Sequence, residues 1–260
     1  MSDIVENKKV SVVVKTGETQ TYSIDWLLEG QITMFLFWRK IMFEKDIVTL
    51  HKQVMEFKRF QKKYYPQMTE ENDNGEWEIG LRQWNEMNST YLKIIENYIP
   101  ESIEENLIDD MLYVIARDSE CSHLLIKTLQ YPQWFEVLCR HSIATDYYNA
   151  RWQFAEQIGN YKGESDIKNL LFCFIESKDE YTERMALQSL CEHFPEQAES
   201  YAVKFWNRNV YKEDEYQKIM ALYVLHKINS PLLEEYAAKA YEMEYCYLKE
   251  WADKYVNEVS

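Results

Sequence analysis

DEYTERMALQSL at residues 179–190 returns as DEYQKIMALYVL at residues 214–225, with seven of twelve positions identical. The match continues at the same offset: Glu199 pairs with Glu234, Tyr201 with Tyr236, Ala202 with Ala237 and Lys204 with Lys239. The repeated unit is therefore a pair of helices. Ala186 and Ala221 each precede a leucine, Leu190 and Leu225, by four residues. That spacing puts a small and a large apolar side chain on one helical face and lets a neighbouring helix approach closely. Pro195 and Pro231 stand at or near the first position of each second helix, where the missing N–H costs nothing. The polar positions in between are free to differ, as Gln188 and Ser189 do from Tyr223 and Val224, and substitutions at Thr182 or Gln217 are expected to leave stability nearly unchanged.

A weaker copy, YYNARWQFAEQIG at 147–159, puts Phe154 in the alanine position and Ile158 four residues later, with SDIKNLLFCFIES as its second helix. A period of about thirty-two to thirty-five residues with two helices per unit lets successive pairs bury each other's apolar faces, as in an α-solenoid. In Arg151–Ile158, Arg184–Leu190, Ile219–Leu225 and the paired second helices, the chain resembles HEAT-like repeats in a short form. The Trp, Leu-Gly and Tyr spacing of the tetratricopeptide motif is absent from the first helices. The likeness covers about residues 101 to 260; it implies a right-handed α-solenoid and brings no catalytic residues with it.

Composition agrees with an all-α chain. Among 260 residues there are six glycines and five prolines, few for a protein rich in tight turns, and strong helix formers run throughout. The exception is KVSVVVKTGETQTYSI at 9–24, where two alternating runs flank a turn around Thr16-Gly17-Glu18 and predict a small β-hairpin. Ser23 or Asp25 is placed to cap the helix that follows. Leu50, Val54, Phe57, Phe60 and Tyr64 then form one stripe of a long amphipathic helix, with Lys52, Lys58, Arg59, Lys62 and Lys63 on a solvated face. After a loop at 69–78 the stripe resumes at Leu81, Trp84, Met87, Tyr91, Ile94 and Tyr98. Helices are expected at about 101–117, 119–130, 132–142, 146–158, 165–176, 179–193, 196–207, 214–228 and 231–258, the last broken near 242. Two domains follow: residues 1–100, a hairpin plus long helices, and residues 101–260, the helical repeats.

The net charge of −15 disfavours a nucleic-acid partner, since phosphate binding rests on Lys and Arg. It falls unevenly: about +3 over 1–69, about −10 over 70–110, about zero over 111–163 and about −8 over 164–260. Cys121, Cys139, Cys173, Cys191 and Cys246 lack CxxC spacing and read as reduced thiols of a cytoplasmic protein. The N-terminal residues lack the pattern of a signal peptide, and the apolar run ITMFLFW at 32–38 is too short to span a bilayer. No membrane partner is expected.

Candidate chemistry fails on geometry. With Gly75 at the sixth position of a calcium loop, the twelfth would be Leu81, which offers no carboxylate. Glu120 and His123 have the spacing of one half of a di-iron motif, but no second ExxH occurs. Cys139 and His141, like Cys191 and His193, are two residues apart and point about 200° from each other on a helix. No metal, cofactor or catalytic residue is assigned. The second helices carry acids beside aromatics, and Glu196, Glu199, Trp206, Glu234, Glu235 and Tyr241 form the expected recognition surface for a basic protein or peptide. The concrete version is an inhibitor of the bacterial immunity or antitoxin type. A DNA-repair enzyme built like the HEAT-like glycosylases is the alternative, and a scaffold that dimerises through its N-terminal region is a third reading.

Overall fold

A computed structural model of the chain describes residues 9–13, 19–67, 80–100, 105–163, 166–211 and 214–257. The turn at Thr16–Glu18, the acidic loop at 69–78 with its glycine, and the side chains of Ser23 and Asp25 lie outside the described residues. The fold is all-helical in class. Lys9–Val13 (β1) and Thr19–Ser23 (β2) pair antiparallel, with Ser11 opposite Thr21. The helix Ile24–Tyr64 (α1) follows. Contacts divide the chain into two compact units between Thr49 and Leu50.

The second unit begins with the C-terminal part of α1 and continues through Arg82–Asn97 (α2), Glu105–Arg117 (α3), His123–Thr128 (α4), Pro132–Ser142 (α5) and Tyr148–Gln157 (α6). After 3-10 turns at Ile158–Asn160 and Ile167–Leu170 come Leu171–Phe174 (α7), Glu180–His193 (α8), Pro195–Asn207 (α9), Glu215–Lys227 (α10), Leu233–Tyr241 (α11) and Cys246–Asn257 (α12). The start of the apolar stripe read from sequence is buried here, while Phe60 is half-buried and Tyr64 is 56 % exposed. Leu50, Val54 and Phe57 are fully covered, and the Phe57 ring lies 6.4 Å from Trp84 and 6.5 Å from Tyr113. Lys58 leaves the solvated face that sequence gave it. Its ammonium donates to the Tyr147 hydroxyl at 2.8 Å and sits 4.5 Å from the centre of the Tyr113 ring.

Helices touch in succession: α3 packs on α6, α6 on α8, α8 on α10 and α10 on α12. At helical spacing on these helices Ala150, Phe154, Ala186, Leu190, Ala221 and Leu225 are all fully buried. Helix α9 packs on both α8 and α10, as α11 does on α10 and α12. A close approach closes the seam after α6. A Cβ on Gly159 would fall 2.0 Å from His193 Nε2, so a side chain there would require the His193 ring to move aside.

Three expectations are corrected. The helix expected at 165–176 is a 3-10 turn followed by a single α-turn, α7. The reason is local: Glu176 N–H and Ser177 N–H bond to carbonyls three residues back, tightening the chain, and Lys178 then takes a left-handed φ of 63°. The helix expected at 119–130 starts only at His123, because Ser122 is left-handed (φ 51°) and the Asp118 carboxylate caps Leu124 N–H at 2.7 Å. Glu120 and His123 therefore share no helical face.

The third correction concerns Thr182, Gln217 and Ser189, which are buried at 0 %, 0 % and 4 % exposure. Thr182 Oγ1 donates to Asp179 Oδ2 at 2.7 Å, reinforcing the cap of α8. Ser189 Oγ reaches the carbonyls of Ala155 and Glu156, and Gln217 Nε2 reaches the carbonyl of Glu180. Thr182 is satisfied by the cap of its own helix, and Ser189 and Gln217 by a neighbouring helix, instead of by water, which is the condition for burying them at all.

Candidate functional site

The residues expected to form a recognition surface occupy α9 and α11. On α9, Ala198, Ala202, Phe205 and Trp206 face inward at helical spacing, which leaves Glu196 exposed. Glu199 is half-buried, and its carboxylate accepts the Ser230 hydroxyl at 2.5 Å; that hydroxyl oxygen in turn accepts Leu232 N–H. Trp206 is 4 % exposed and meets the Tyr236 ring edge to face at 5.2 Å. Its ring is an interior bridge between α9 and α11, with almost nothing left to show a partner. Glu234 and Glu235 are exposed, Glu235 paired with Lys239 at 2.6 Å. Tyr241 is exposed and donates to Asp253 at 2.6 Å. The structure thus brings α9 and α11 together through Glu199 and Trp206, while Glu196, Glu234, Glu235 and Tyr241 each lie on the surface of their own helix.

A cleft of about 650 Å³ opens elsewhere, between the turn after α3, the helix α6 and the start of α8. Its rim is set by the left-handed Ser122 and the Asp118 cap, which hold Glu120 out toward solvent. Along α6, Tyr148, Trp152 and Glu156 follow at steps of four and so present one stripe. Tyr181, in the first turn of α8, forms the opposite wall; its ring stands edge to face with Trp152 at 4.9 Å. Behind it, the Arg184 guanidinium lies 4.6 Å from the Tyr181 ring centre and is held by both oxygens of Glu180.

Charge in this cleft is one-sided. Burial raises the Tyr181 phenol, Arg184 opposes that, and the carboxylates of Glu156, Glu180 and Glu120 push it further up. Glu180 is neutralised by Arg184. Glu156 accepts only the Gln157 amide, and among the described residues neither Glu156 nor Glu120 has a cationic partner. Asn149 lines the same cleft at 8 % exposure, with its Oδ1 fixed by Trp152 Nε1 at 3.2 Å. That bond orients the amide so that its N–H groups remain without an acceptor among the described residues.

Buried thiols elsewhere are inert. Burial raises Cys139 strongly, and with help from Glu192 it raises Cys191 to about 11, so neither is a thiolate at neutral pH. Burial and Lys168 lower the His193 imidazole. Among the described residues no group of three or more His, Cys, Asp and Glu side chains is placed to hold a metal, and no helix is long and apolar enough to cross a membrane. Comparison with protein-family models, with curated proteins and with solved structures gave no match.

Sequence reading missed this cleft. The signal was present in the Tyr148, Trp152, Glu156 stripe, but a period of four with aromatics reads equally as core, and Trp152 is in fact mostly buried (9 % exposed). What the period does not encode is the turn at Glu120 that closes the other side.

Proposed function

We propose that the chain is a non-catalytic protein-binding α-solenoid, a right-handed stack of HEAT-like helical pairs that follows a small N-terminal β-hairpin in the sequence, with an acidic recognition surface for a basic protein. The observation that carries the reading is the pair of carboxylates, Glu120 and Glu156, lining an aromatic cleft without a cationic partner among the described residues. The succession of helix contacts and the net charge of −15 support it. Uncompensated acids on a rigid surface speed encounter with a positive partner and disfavour negative ones. The most specific version is a cytoplasmic inhibitor of immunity or antitoxin type, whose basic target would be a nuclease. A glycosylase-type enzyme on the same scaffold would need a basic concave surface for DNA, and the duplicated half carries about −8.

Affinity capture with the full chain from lysate of its native host tests the reading. Captured protein should carry net positive charge, and its recovery should fall steeply as salt is raised. Recovery of acidic proteins alone, recovery indifferent to salt, or a low-salt gel shift of duplex DNA overturns it.

A homodimer formed through the N-terminal region is a second reading, favoured by exposed Met34, Trp38, Ile41 and Met42 on α1. Steps of four and three are those of a helix-pairing seam. Light scattering over a concentration series should then report twice the chain mass, reverting to the monomer mass in Trp38→Glu; a monomer mass at every concentration removes the reading.

A further inference from the structure

We propose that the cleft between Glu120, α6 and Tyr181 is a socket for one arginine side chain of the basic partner, the guanidinium between the two carboxylates and its flanking peptide carbonyl on the Asn149 amide. The inference rests on the reading of the chain as a binder of basic protein, and it names the chemical group that is read.

Three observations meet at this place. The cleft offers two carboxylates that no cation of the chain satisfies among the described residues, and they come from different elements, the turn before α4 and the last turns of α6. Its walls are aromatic: Trp152 and Tyr181 stand edge to face, which leaves a corner against which a flat cation can lie. Asn149, more than nine-tenths buried, has its oxygen occupied by Trp152 and its N–H groups without an acceptor among the described residues. A free amide donor beside acids does not match a bare metal ion, because it would repel the cation; it does match a ligand that carries both a cation and a carbonyl. An arginine in a peptide is such a ligand.

Guanidinium fits better than ammonium. It is planar, weakly hydrated and forked, so it can stack on a ring and donate to two carboxylates at once, whereas a lysine ammonium is a strongly hydrated point charge. The chain uses the same mode internally, since Arg184 lies against the rings of Tyr181 and Tyr216 while donating to both Glu180 oxygens. About 650 Å³ exceeds what one side chain fills, leaving room for the flanking backbone.

The test is a nuclear magnetic resonance titration of the full chain with N-acetyl-arginine methylamide, N-acetyl-lysine methylamide and the uncharged citrulline analogue. The arginine compound should shift the Trp152 indole and Asn149 side-chain signals, with lysine weaker and citrulline silent. Glu120→Gln with Glu156→Gln should weaken the arginine response by about tenfold or more while leaving signals remote from the cleft in place. Equal responses to arginine and citrulline, equal responses to arginine and lysine, or arginine shifts confined to other regions overturn the socket. The same double variant goes through the salt-dependent capture. If it retains the basic partner as fully as the parent chain, the socket fails while the binding reading stands; if the parent captures no basic protein, the binding reading itself fails.

Discussion

Ala221→Glu and Ala186→Glu each abolish the cooperative folding of the repeated half; this is the largest effect expected from any single change. Both alanines are fully buried on helices clamped from two sides, α8 between α6 and α10, and α10 between α8 and α12. Replacing a methyl group with a carboxylate side chain there forces overpacking, worth about 1–3 kcal/mol. It also places a charge in a fully buried site, at a further cost of several kcal/mol. Together these approach the whole stability of a typical domain, about 5–15 kcal/mol. Circular dichroism should show loss of helix content, and limited proteolysis should cleave within 180–257. Glu192→Ala, at an exposed site on α8, is the control and should melt within a few degrees of the parent. An Ala221→Glu chain that melts cooperatively near the parent temperature would remove the claim that these alanines form the packing seam.

That prediction was legible in sequence, because an identical Met-Ala-Leu at a fixed offset encodes its own helix face. The neighbouring polar positions were not. Thr182, Ser189 and Gln217 have the composition of a solvated face, yet all are buried: Thr182 bonds the cap of its own helix, while Ser189 and Gln217 bond partners distant in sequence, the carbonyls of Ala155 and Glu156 and the carbonyl of Glu180. Periodicity reports which side chains are apolar; it does not report which polar ones have been met across a helix interface. The same limit hid the cleft, whose two sides come from α6 and from a turn that the helical pattern overran. It also turned Trp206 from an expected surface anchor into an interior ring, since an aromatic in the last turn of an amphipathic helix can lie on either face.

The clearest measure of those hidden polar contacts is Arg208→Met, expected to destabilise the chain by about 3–5 kcal/mol. Arg208 follows α9, and one of its nitrogens, Nη2, donates both to Glu183 Oε2 and, at 2.5 Å, to Gln217 Oε1. Its guanidinium lies 3.7 Å from the centre of the Phe205 ring, and the side chain is only 15 % exposed. Glu183, with a 4 % exposed side chain, also accepts Lys178 N–H at 3.1 Å, so one carboxylate ties the entry of α8 to the exit of α9. Beside it, buried Lys218 donates to the Trp206 carbonyl at 3.1 Å, capping the end of α9. Removing the arginine leaves Glu183 as a buried anion with hydrogen bonds but no countercharge, and leaves the Gln217 oxygen without its donor. The loss should come from that orphaned charge more than from the pair itself. Arg208→Met with Glu183→Leu should therefore be more stable than Arg208→Met alone, as read by urea denaturation at neutral pH. A double variant as unstable as the sum of the two single ones would mean that the pair acts through packing alone, and that the polar layer between the repeats is incidental to holding them together.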